Sequence, residues 1–199
     1  MTSWLHEERL DAVMAAIRDT GARSVLDLGC GDGDLLLRLA SEPRVERITG
    51  VDLSLPAIER LRSSLRALPA GPKIDLIHGS MIEPDPALAG FDCAALVETI
   101  EHLEPARLSK LERALFGVFR PGAVIVTTPN AEFNTLLGVP PGRFRRNDHM
   151  FEWDRARFRR WAKAAATAGG YEVAFADIGG RHHALGGASQ MAVFHRQSG

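Results

Sequence analysis

Four side chains in two short stretches of this 199-residue chain are of the types that hold divalent cations. Glu98, Glu101 and His102 fall in Val97-Glu98-Thr99-Ile100-Glu101-His102, and His149 in Asn147-Asp148-His149-Met150. Positions i, i+3 and i+4 share one face of a helix, so the spacing predicts two carboxylates and an imidazole converging on one cation. Mixed oxygen and nitrogen ligands favour Mn²⁺, Co²⁺ or Fe²⁺, with Mg²⁺ the less favoured alternative. A plainer reading exists for each part. Acids suit the positive end of a helix dipole, and a lone histidine such as His149 is more often a surface group. What decides between the readings is the scaffold that would bring the two stretches together.

The pattern along the chain is one of alternating helices and strands. Leu5, Leu10, Val13, Met14 and Ile17 recur at helical spacing over residues 5–19, and Gly21 follows as a stop. Ser24 to Leu28 reads as a strand that runs into Gly29-Cys30-Gly31-Asp32-Gly33, with a helix resuming at Leu35. Arg47 to Val51 reads as the second strand, Pro56 to Leu68 as a helix, and residues 74–77, 91–96 and 123–127 as three further strands. The intervening segments are long enough for crossover helices, which predicts a parallel α/β sheet covered on both faces. A helix over 154–168 and then two consecutive strands, Tyr171 to Ile178 and Gln190 to His195, predict a late antiparallel pair. Pro129, Asn130, Gly138, Pro140, Pro141 and Gly142 mark 129–149 as the main break in regular structure. A loop that long is a candidate for function. The segment holding Glu98 directly follows the fourth strand, whose C-terminal end faces the cleft in sheets of this kind.

The glycine loop indicates what occupies that cleft. Gly29, Gly31 and Gly33 let the backbone turn sharply and approach a ligand, but their spacing departs from the dinucleotide fingerprint. Asp27, Asp32 and Asp34 flank the loop. They would repel a pyrophosphate and attract a sulfonium and an α-ammonium, which favours S-adenosylmethionine over NAD. Asp52, about twenty residues past the loop, is placed to accept from a ribose diol. The candidate cofactor contacts are Asp27, Gly29, Gly31, Asp52, Ser54, Ser80, Met81 and Val97, with Ser80 and Met81 meeting the adenine.

Val25-Leu26-Asp27-Leu28-Gly29-Cys30-Gly31-Asp32-Gly33 resembles motif I of class I methyltransferases, and that likeness extends over residues 24–128. It implies a Rossmann-like, mostly parallel seven-stranded sheet. Glu98-x-x-Glu101-His102, taken with Asp148-His149-x-Phe151-Glu152-Trp153, resembles the Hen1 family of small RNA 2′-O-methyltransferases over nearly the whole chain. In that family two glutamates and two histidines hold a divalent cation, and the methyl goes to the 2′-hydroxyl of an RNA 3′-terminal nucleotide. The resemblance implies Glu98, Glu101, His102 and His149 as both metal ligands and catalytic set. A cation suits the task, since it lowers the pKa of a poorly nucleophilic ribose hydroxyl and fixes its orientation. Gripping the 2′ and 3′ oxygens together also selects a free RNA end. The Glu-x-x-Glu-His segment is similar, too, to that of quinone-biosynthesis O-methyltransferases, whose catechol substrate is likewise a vicinal diol. The Asp-His-x-Phe-Glu-Trp stretch and its arginines speak for RNA.

Composition sets looser bounds. With 45% hydrophobic and 25% charged residues the chain is of ordinary globular type and of single-domain length, 1–199. No apolar run approaches the roughly 18 residues of a membrane helix and no cleavable signal opens the chain, so the expected setting is cytoplasmic. The two cysteines, Cys30 and Cys93, suit reduced thiols. A net charge of −1 argues against a nucleic-acid coat protein, yet residues 143–160 hold seven of the 24 basic residues. Asn130, Arg143, Arg145 and Arg146 are the candidate RNA contacts, the arginines acting on phosphates without sequence preference. The expected partner is an RNA 3′ end bound by a monomer. Bacterial members of the family often carry RNA-repair domains; none is evident here, so coupling to a repair ligase is not implied.

Overall fold

A computed structural model describes residues 4–69 and 71–197; the remaining ends of the expected 1–199 span lie outside the described residues. Its strands are β1 (Ser24–Leu28), β2 (Arg47–Asp52), β3 (Lys73–His78), β4 (Cys93–Val97), β5 (Ala123–Pro129), β6 (Tyr171–Ile178) and β7 (Ser189–Arg196). They form one seven-stranded sheet in the order β3-β2-β1-β4-β5-β7-β6. β1 to β5 are parallel, while β7 runs antiparallel to both β5 and β6. All seven residues of β5 are buried, as a central strand covered on both faces requires.

Helices α1 (Trp4–Thr20), α2 (Asp34–Leu39) and α3 (Leu55–Leu65) cover one face. There Val13, Ile17, Leu36, Leu39, Ile58 and Leu61 pack on Val25, Ile48 and Ile125. The other face is covered by α4 (Leu108–Glu112), which widens into a π-helical stretch over Arg113–Phe119, and by α5 (Arg155–Gly169). Phe116, Phe119, Phe158, Trp153 and Phe194 dominate that core. Leu26 and Val25 point to opposite cores from adjacent positions of β1, the period-two alternation of a strand.

Several limits differ from the sequence expectation, most by one or two residues. α3 ends at Leu65 rather than Leu68. β4 starts at Cys93, because the Asp92 carboxylate turns back to accept from the backbone N–H groups of Arg23 and Ser24 at 2.9 and 2.8 Å. The β3-to-β4 crossover carries only a 3₁₀ turn, Pro86–Leu88, in place of a helix. Pro84, Pro86 and Gly90 break any longer one. Among the described residues no helix is long and apolar enough to cross a membrane.

The strand order reverses between β1 and β4, and in an open α/β sheet that switch point is where ligands bind. The glycine loop leaves β1 and the Glu98 segment leaves β4 on this same edge.

Phe194, fully buried in β7 with its ring 5.1 Å from that of Phe116, ties the late antiparallel pair to the core. Phe194→Ala is expected to lose about 3–5 kcal/mol of stability. Equilibrium urea unfolding should show a markedly lower midpoint; an unchanged one would mean that β7 is not integral to the cooperative unit.

Candidate active site and metal centre

The loop after β1 is a chain of left-handed glycines, with φ of +78° at Gly29, +52° at Gly31 and +93° at Gly33. At Gly29 the requirement is also steric, since a Cβ would come within 2.3 Å of Thr99 Cγ2. Asp52 secures the loop from β2: one carboxylate oxygen accepts from Gly31 N at 2.8 Å and the other from Ser54 N at 2.7 Å. Each oxygen keeps a second lone pair. Ser54 in turn caps α3 through Ala57 N.

A cavity of about 370 Å³ opens beside this loop. Gly29, Gly31, Asp52 and Met81 line it as expected, joined by Val51, Leu53, Gly79, Glu98, Thr99, His102 and Leu103. Asp27, Ser54, Ser80 and Val97 are not in that lining. Asp27 lies beneath the loop, only 2% exposed, and burial, reinforced by the nearby Asp52, pushes its carboxyl up to about 7.

The metal-type residues do not share a helical face. β4 ends at Val97, Glu98 then adopts φ +49°, and only a 3₁₀ turn, Ile100–His102, follows. A left-handed non-glycine residue is costly. Here two bonds from Glu98 N, to Thr127 O at 3.2 Å and Thr127 Oγ1 at 3.0 Å, hold it in place. The kink sends the Glu98 carboxylate toward Thr127 Oγ1 at 3.1 Å, Ser189 Oγ at 3.2 Å and the Arg9 guanidinium at 3.3 Å. Its neighbours turn the other way. Glu101, His102 and His149 each offer a ligand atom, and those atoms lie within 4.8 Å of one another.

Glu101 is fully buried. Thr128 Oγ1 donates to one oxygen at 3.0 Å, and the other has no hydrogen-bond partner among the described residues. Burial raises its pKa well above the ordinary carboxylate range, and the Glu98 charge adds to the effect. An opposite charge at the unpartnered oxygen is what such a group lacks, so the residues fit a cation.

His149 arrives from the long loop, which is pinned to the 3₁₀ turn at two points. Met150 N donates to Glu101 O at 2.7 Å, and the Asp148 carbonyl lies 3.1 Å from His102 Nδ1. The His102 and His149 rings meet edge to face with centroids 5.0 Å apart. Glu152 is the residue that the sequence reading passed over. Its Oε1 lies 2.6 Å from His149 Nδ1, and both side chains are almost wholly buried. The i, i+3 spacing within Asp-His-x-Phe-Glu-Trp carried that signal.

Two of the expected RNA contacts face inward instead. Asn130 is fully buried, with Nδ2 donating to Leu185 O and Gly187 O at 2.8 and 2.9 Å and Oδ1 accepting from Glu132 N. Arg145 is spent on Asn134 Oδ1, Ala188 O and Asn130 O. Arg143 is exposed, and Arg146 is exposed with Nε 3.0 Å from Asp148 Oδ1. Those two remain open to a ligand.

Comparison with known proteins places this architecture. Residues 25–122 match the family described as "Methyltransferase domain". The crystal structure of the methyltransferase domain of bacterial CtHen1 is similar, with a TM-score of 0.87 and 39% identity over 98% of this chain and 100% of that one. The small RNA methyltransferase HEN1 structure has a TM-score of 0.89 at 35% identity, covering 97% of this chain and 26% of that one. Among curated proteins, the small RNA 2′-O-methyltransferase of Gallus gallus is 38% identical over 184 residues, 88% of this chain and 48% of the relative. The chain thus spans about half the length of the curated relatives it matches. The fold is the class I, Rossmann-like S-adenosylmethionine-dependent methyltransferase fold.

Asp27 supplies a pH test. A carboxyl raised by folding stabilises the chain at low pH and loses that contribution as pH climbs through its folded value of about 7. Asp27→Asn is therefore expected to raise Tm above pH 7 and to leave it unchanged below the ordinary carboxylate range. Thermal melts across pH check this, and a constant difference at every pH would refute the assignment.

Proposed function

Because the chain belongs to the Hen1 methyltransferase family, we propose that it transfers the methyl group of S-adenosylmethionine to the ribose 2′-hydroxyl of an RNA 3′-terminal nucleotide, with a divalent cation held by Glu101, His102 and His149. One observation carries this reading. His102 belongs to two sites at once: it lines the glycine-loop cavity and is one of the three converging ligands. A methyl donor in the cavity and an acceptor at the ligand cluster are then neighbours, as in-line transfer demands.

Asp52 is held by two backbone N–H groups with lone pairs to spare for a ribose diol, and Met81 offers a soft surface to an adenine face. The buried Asp27 lies beneath the loop, where a bound sulfonium would favour its ionised form. On the acceptor side the cation, once bound, would lower the pKa of the 2′-hydroxyl and hold the 2′ and 3′ oxygens together. Glu101 provides the charge, and the two imidazoles tilt the preference toward Mn²⁺ or Co²⁺ over Mg²⁺. Glu98 borders the cavity and can join the set only by leaving Arg9 and Ser189. Arg143 and Arg146 rim the same loop and suit the phosphates of preceding nucleotides.

The experiment is methyl transfer from labelled cofactor to a short RNA with a 2′,3′-diol end, against the same RNA ending in 3′-deoxy or 3′-phosphate, with and without Mn²⁺. Activity should require the diol and the metal, and chelation should abolish it. Robust turnover on the 3′-deoxy RNA would sink the diol-gripping account, and preference for a free catechol would point to a small-molecule acceptor. Glu101→Ala and His149→Ala should each abolish turnover while S-adenosylmethionine affinity changes less than about threefold, since neither lines the cavity. For His102→Ala both should fall. Calorimetric titration of the three variants separates these outcomes.

A further inference from the structure

A histidine ligates metal through a bare nitrogen, so something must decide which of its two nitrogens keeps the hydrogen. Around His149 that decision is traceable through three residues. Arg145 Nε can only donate, and it donates to Asn134 Oδ1 at 2.5 Å. This fixes the orientation of the Asn134 amide, whose Nδ2 therefore faces outward as a donor to Glu152 Oε2 at 2.6 Å. The other oxygen, Oε1, accepts from Arg145 N at 2.7 Å. Glu152 is thus an acceptor at both oxygens, and 2.6 Å from Oε1 stands His149 Nδ1. A carboxylate has no hydrogen to give, so the hydrogen between the two is carried by Nδ1.

We propose that Arg145, Asn134 and Glu152 form a relay that locks His149 in its Nδ1–H tautomer and presents Nε2 as a ready ligand. This deepens the metal reading of the site and rests on it. Arg145 is anchored in turn by its bonds to Ala188 O and to Asn130 O, at the end of β5 and the start of the β7 hairpin. The donor order is therefore set by the sheet, and the long loop inherits it. Glu152 is a positioning residue, since it touches His149 and no reacting atom.

The test exploits the directionality of the relay. In Glu152→Gln one amide orientation sets Nε2 against Asn134 Nδ2 and the other sets it against Arg145 N and His149 Nδ1–H, so donor meets donor either way, and Asn134 cannot flip without losing Arg145. Combining Glu152→Gln with Asn134→Asp exchanges amide and carboxylate, so every donor again meets an acceptor and the net charge is kept. Mn²⁺ affinity of the full chain, read from the electron paramagnetic resonance of free Mn²⁺ without RNA, should fall about 10–100-fold in Glu152→Gln. In the double variant it should return to within a few-fold of wild type. Circular dichroism melts report whether each variant is folded. Nitrogen-15 spectra of the metal-free imidazoles, with His149 assigned by its loss in His149→Ala, should put the hydrogen on Nδ1 in the wild type and the double variant. Hydrogen on Nε2 in the wild type, wild-type Mn²⁺ affinity in Glu152→Gln, or no recovery in a folded double variant would each overturn the relay. If the wild type itself does not bind Mn²⁺, the metal reading falls, and the imidazole spectrum still decides the tautomer.

Discussion

Glu101 is a carboxylate sealed from solvent, with one oxygen bonded to Thr128 and the other facing nothing that can donate to it among the described residues. Burying such a group is among the more expensive things a fold does, and Glu98 nearby makes it worse. The surrounding structure is arranged around that burden. Thr128 stands at the end of β5 to occupy one oxygen, and Met150 N binds the Glu101 carbonyl and so draws in the loop that carries His149. An opposite charge at the unpartnered oxygen would offset that cost. The cost is borne by the fold itself, and a ligand that relieved it would stabilise the folded chain.

Much of this fold can be read directly from the sequence, and the reasons differ by element. β1 runs from Ser24 to Leu28 as expected, because an apolar run that stops at a glycine turn leaves little freedom in its limits. The antiparallel pairing of β6 with β7 was equally legible, as no helical pattern separates them. The sequence reading grouped Glu98 with Glu101, His102 and His149, whereas only the last three bring ligand atoms together. Spacing alone suggested a helix through Glu98, whereas hydrogen bonds to Thr127 hold that residue left-handed. A local periodicity rule cannot register a bond supplied by a different strand.

The arginine-rich stretch shows the same limit in another form. Composition treats its seven members alike, and the structure divides them by duty. Arg145 serves the interior, while Arg155 pairs with Glu132 at 2.7 Å in a partly exposed position. Arg157 and Arg159 lie over the rings of Trp153 and Phe175. Arg143, Arg146 and Arg160 are exposed. Asn130 was likewise read as a ligand contact from its place after β5, when its amide closes the gap between β5 and the hairpin. Charge and position in sequence do not reveal whether a backbone carbonyl is waiting for a partner.

The insertion of β7 between β5 and β6 has a bearing on how the molecule comes into being. β6 precedes β7 in the chain but has no place on the sheet until β7 is there to receive it. During synthesis, β1 to β5 can assemble while β6 waits, its backbone donors and acceptors unpaired. β7 also brings Ser189 to Glu98 and Gln190 to the carbonyls of Pro129 and Trp153. The strand that closes the sheet thus also reaches Glu98, which borders the cavity. A partly emerged chain therefore has its glycine loop in place before the strand that meets Glu98 and the carbonyls of Pro129 and Trp153 arrives.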